Sequence, residues 1–85
     1  MASKRDLKKR IKGVIYEVFD ECDYIMLNSK ENADAAEALI DEAADFYLEM
    51  MEKINEAKVH ADYNAIRSLL ATKEQEFVDR LNELN

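Results

Sequence analysis

The sequence predicts an all-α protein: an antiparallel up-down-up three-helix bundle with a surface suited to pairing as a helical homodimer. Three observations point there. The 85 residues contain no proline and one glycine, Gly13, so almost nothing removes a donor from a helical ladder or invites a tight turn. Apolar residues recur at three- and four-residue spacings from Leu7 to Leu84, the period of an amphipathic helix. Hydrophobic residues make up 48% of the chain and charged residues 36%, which is enough apolar matter to collapse around one small core.

The first helix is expected over residues 4–27, opened by a capping box of Ser3 and Asp6. Its stripe is Leu7, Ile11, Val14, Ile15, Val18, Phe19, Cys22, Ile25 and Met26. Gly13 falls on the opposite side, where it costs about 1 kcal/mol against alanine without breaking the helix. The polar run Asn28–Asn32 is the first turn, with Ser29 or Asn32 as N-cap of a second helix over residues 33–58. That helix carries Ala36, Leu39, Ile40, Ala43, Phe46, Tyr47, Met50, Met51, Ile54 and Ala57 on a wide arc able to touch two neighbours. The second break is weaker. Nothing in Lys58–Asp62 forbids continuity, so a fused rod of about 50 residues is the alternative. With Asp62 as N-cap, the third helix covers residues 63–84 through Tyr63, Ile66, Leu69, Leu70, Phe77, Leu81 and Leu84. Lys73 interrupts that stripe and is expected to pack its stem while its ammonium reaches solvent. No repeat or linker divides the chain, which reads as a single helical domain.

Charge is distributed unevenly. Residues 1–13 carry Lys4, Arg5, Lys8, Lys9, Arg10 and Lys12 against Asp6, a net +5; the remainder carries six basic against eighteen acidic residues, a net −12, and together these give −7. Cations in the first turns of a helix oppose its macrodipole. An antiparallel neighbour would bring Glu49, Glu52 and Glu56 beside them, so mutual neutralisation is the first expectation. The alternative is that the six cations contact an anion or partner outside the chain. Nucleic acid is disfavoured as that partner by the −12 remainder, and no aromatic residue interleaves with the basic block. The acidic face of the second helix, Asp34 to Glu56, is a third candidate surface for a basic protein.

A catalytic constellation is not expected. The carboxylates lie mostly off the apolar stripes, His60 follows Glu56 by four rather than three, and no calcium-loop, phosphate-loop or zinc spacing occurs. Cys22 reads as a small core hydrophobe and His60 as a cap or surface residue. No enzyme activity, metal or cofactor is therefore expected. Met50 and Met51 beside Phe46, Tyr47 and Ile54 read as core, or as an adaptable groove. Tyr16, Tyr24, Leu27 and Leu48 project away from the stripes and form the candidate apolar interface.

The opening Ser3-Lys4-Arg5-Asp6-Leu7-Lys8-Lys9-Arg10-Ile11, with Val18-Phe19-Asp20-Glu21-Cys22, resembles small uncharacterised all-helical proteins of Bacteroidetes bacteria. The resemblance covers about a quarter of the chain. It implies a bacterial cytoplasmic setting and carries no functional residue. No apolar run approaches the roughly 18–20 residues that span a bilayer, and no signal core follows the basic start. The expectation is an acidic, cytoplasmic helical module for protein interaction or structure, without catalysis; a nucleic-acid-associated regulator is the alternative.

Overall fold

A computed structural model describes residues 4–84. Helix α1 spans Lys4–Asn28, α2 spans Ala33–Glu56 and α3 spans His60–Leu84, with one 3-10 turn at Lys30–Asn32. No strand occurs among the described residues. Cross-bundle hydrogen bonds fix the topology. Lys4 Nζ donates to the Asn55 carbonyl at 3.1 Å, setting the start of α1 beside the end of α2, and Asn32 Nδ2 donates to the Leu84 carbonyl at 2.9 Å, setting the start of α2 beside the end of α3. The helices therefore run up, down and up in a rod of 45 × 17 × 17 Å. The capping box expected at Ser3 lies outside the described residues.

The stripes converge on one core. Leu7, Ile11, Ile15, Val18, Cys22 and Ile25 of α1 meet Ala36, Leu39, Ala43, Phe46, Met50 and Ile54 of α2, and Ile66, Leu70, Phe77 and Leu81 of α3 close the third side. Phe46 and Phe77 pack edge to face with centroids 5.9 Å apart, the geometry that sets a ring's positive edge on its neighbour's negative face. Alanines at 36 and 43 let α1 and α2 approach closely, whereas α3 stands off on larger side chains. No polar or charged residue is buried among the described residues; the core draws its stability from apolar burial, at roughly 25 cal/mol per Å².

Both breaks are real, and their chemistry differs from the expectation. Ser29 is extended at φ −145°, ψ 100°, and ends α1, but neither Ser29 nor Asn32 makes a side-chain cap bond. The Asn32 amide is turned instead toward Leu84, where it satisfies a carbonyl left over at the end of a helix. Ala57 is extended at ψ 134° and ends α2 two residues before the expected boundary, so the continuous α2–α3 rod does not form. Helix α3 begins at His60, three residues before Tyr63. Asp62 is accordingly not the N-cap. It sits in the first turn and accepts from the backbone N–H of Lys58 at 2.9 Å and of Val59 at 3.2 Å, the backward half of a capping box made by an acidic third residue.

Candidate interaction surface

Helix periodicity and core packing together decide what α1 shows to the outside. At about 100° per residue, the buried positions occupy one side of α1, and the side turned away from them carries Arg5, Lys9, Lys12, Tyr16, Asp20, Asp23 and Leu27. All seven are exposed, Tyr16 by 60% and Leu27 by 85%. Their spacing is 4, 3, 4, 4, 3 and 4 residues, so they form a seam along the outer pole of the helix rather than a scatter. The seam is basic at its start, aromatic at its middle and acidic toward its end.

Of the six N-terminal cations, Lys4 is drawn into the bundle by its bond to the Asn55 carbonyl. An ammonium at the negative end of α2 compensates the macrodipole there. The mutual neutralisation expected with Glu49, Glu52 and Glu56 takes no ion-paired form: no ion pair joins any of the six cations to those glutamates among the described residues. Arg5, Lys8, Lys9 and Lys12 line one shallow depression on α1, and Arg10 projects from another side of the helix. Tyr16 lies one turn beyond Lys12 on the same face, an aromatic neighbour that a scan of the basic block alone does not reach.

The four apolar residues singled out from sequence are all exposed: Tyr16, Tyr24 by 62%, Leu27 and Leu48 by 65%. They do not make one patch. Tyr16 and Leu27 share the outer seam about 16 Å apart along the axis, Tyr24 lies to one side of it, and Leu48 sits on α2 among Asp41, Asp45 and Glu52. Sequence reading missed two others, Val59 at 59% and Val78 at 43%. Val59 belongs to the inter-helix segment, where no stripe draws attention to it. Val78 follows Phe77 immediately and is turned into the groove between α1 and α3, beside Val14, Val18 and Leu81 with Glu17, Glu21 and Glu74 around them. Asp20 and Asp23 read from sequence as solvated carboxylates rather than metal ligands; their shared face with Lys9 and Lys12 is the signal that joins them to this surface.

Other candidates resolve into structure. Cys22 is fully buried, and burial, with Asp23 adding to it, pushes its thiol above the ordinary range, which withholds the thiolate a nucleophile needs. His60 is exposed at the start of α3. Met50 is core and Met51 half-buried against it. Lys73 keeps its stem packed, with its ammonium 3.4 Å from Glu76 and 6.0 Å from the centre of the Phe46 ring. Arg80 pairs with Glu42 across α3 and α2; their hydrogen bond holds the carboxyl below its usual range and the guanidinium above. No group of three or more histidine, cysteine or acidic side chains converges to hold a metal among the described residues. No helix there is long and apolar enough to cross a membrane.

No protein-family model matches the chain, and neither a curated protein nor a solved structure matches it.

Proposed function

We propose that the chain is a helical protein-interaction or structural module of the cytoplasm, without catalytic activity, that works through the outer face of α1. One observation carries this reading: Tyr16 and Leu27 stand exposed on a seam whose charged members, Arg5, Lys9, Lys12, Asp20 and Asp23, make no side-chain ion pair or hydrogen bond among the described residues. Unspent charge beside exposed apolar side chains is the composition of a recognition surface. A pull-down with the intact chain and with a variant whose six N-terminal cations are changed to glutamine tests it. A defined partner retained by the first and lost by the second is expected; equal recovery from both chains would remove α1 from the reading.

The nucleic-acid alternative is favoured by a single feature, the common depression lined by Arg5, Lys8, Lys9 and Lys12. The net charge of −7 opposes it. Phosphate contacts of this kind weaken steeply with salt, so fluorescence anisotropy with labelled duplex and single strands at low ionic strength decides the matter. Absence of binding there ends that alternative.

A further inference from the structure

The outer seam of α1 is symmetric in position about Tyr16 and, from Lys9 to Asp23, antisymmetric in charge. Four residues before Tyr16 is Lys12 and four after it is Asp20; seven before is Lys9 and seven after is Asp23; eleven before is Arg5 and eleven after is Leu27. We propose that this seam binds a second copy of the same chain, antiparallel, with a two-fold axis passing by Tyr16. The proposal rests on the interaction-module reading and names its partner.

A two-fold axis at Tyr16 carries each position onto its mirror position in the other copy. Lys12 then meets Asp20 of the second chain, Lys9 meets Asp23, and the two Tyr16 rings face each other on the axis, where offset stacking or edge-to-face contact suits them. The stem of Arg5 lies over Leu27 of the other copy, covering the most exposed apolar side chain of the seam. Every opposite-charge contact occurs twice. Parallel pairing would set Lys9 and Lys12 against themselves and is rejected by like charge. The 4-3 spacing keeps all the contacts on one line for about 33 Å of helix.

The same geometry sets the strength. A seam one helix wide buries less than the roughly 1,200–2,000 Å² of a stable complex, and exposed ion pairs are screened by salt. Pairing is therefore weak, reversible and ionic.

Sedimentation equilibrium at roughly millimolar protein and low salt should give a mass above the 9.9 kDa of one chain, falling toward it in about 0.5 M salt. K9E/K12E, which leaves Arg5 as the one cation of the seam, and D20K/D23K, with an all-basic seam, should each remain monomeric. The fourfold exchange K9E/K12E/D20K/D23K keeps the net charge of the natural chain and should recover its self-association. Circular dichroism confirms that each variant is helical. A natural chain that stays monomeric at low salt overturns the proposal, as does self-association that is unchanged in the half-exchanged variants or absent from the fourfold one. A monomeric natural chain that still retains a protein in the pull-down defeats self-pairing alone; recovery independent of the cations removes α1 from the broader reading.

Discussion

Asp62 holds the start of α3 by reaching backward. Its carboxylate accepts from two backbone N–H groups ahead of the helix, Lys58 and Val59, donors that would otherwise be left to water. Those two bonds hold the carboxyl below the ordinary aspartate range. Because the folded value is depressed, the stabilisation is fully present above the unfolded pKa of about 3.9 and is lost as pH falls through the depressed value. Asp62→Ala should thus melt at lower temperature than the natural chain near neutral pH. The difference should shrink on acidification below that value, and thermal denaturation followed by circular dichroism across the acid range would record it. A difference that persists undiminished in strong acid would mean that Asp62 acts through something other than its charge.

At the scale of one helix, α1 carries a built-in weakness at Gly13. A methyl group added there would meet no atom within 4 Å beyond its chain neighbours and the helix's own local backbone, and the position is exposed in mid-helix. Gly13→Ala should stabilise the protein by about 1 kcal/mol through helix propensity and a less mobile unfolded chain. For a domain of this size that is a rise of about 4–8 °C in Tm, readable in a calorimetric scan; an unchanged Tm would show that this turn of α1 limits nothing. The glycine's place was legible in the sequence because α1 has a continuous stripe, and any residue off that stripe is assigned to solvent by periodicity alone. Periodicity served α2 equally well and placed Tyr16, Tyr24, Leu27 and Leu48 outside the core. It served the start of α3 less well. An aspartate suits both the N-cap and the third position of a helix, and only the direction of its hydrogen bonds tells the two apart. Nor could local pattern show that Asn32 would bond to Leu84, 52 residues away. The candidate surface was half legible: the cations and Tyr16 drew attention separately, while Asp20 and Asp23 gained meaning only when the packed core fixed which pole of α1 faces outward.

Across the whole bundle the three helices are not equally held. Helices α1 and α2 approach one another most closely, and α1 buries a residue at nearly every turn, from Leu7 to Ile25. Helix α3 buries Ile66, Leu70, Phe77 and Leu81, and a shallow groove runs beside it on each flank, one against α2 near Ala57 and Leu69 and one against α1 near Val18 and Val78. Its polar ties to the rest of the bundle include Arg80 to Glu42, whose side chains are 34% and 51% accessible, and Asn32 to its last carbonyl, which is partly buried. Such a helix opens before the rest, since local stability follows buried apolar contact. Native-state hydrogen exchange should show α3 amides exchanging through a smaller opening than those of the middle turns of α1 and α2. Phe77 is the residue that most anchors α3, through its edge-to-face contact with Phe46 and its complete burial. Truncating it should remove about 3–5 kcal/mol, a large part of the 5–15 kcal/mol that a domain commands. In Phe77→Ala the α3 amides should therefore lose protection first and most, with the α1–α2 pair retaining more of its own. Equal acceleration in all three helices would instead show that the bundle opens as one unit, and that the grooves beside α3 mark no difference in stability.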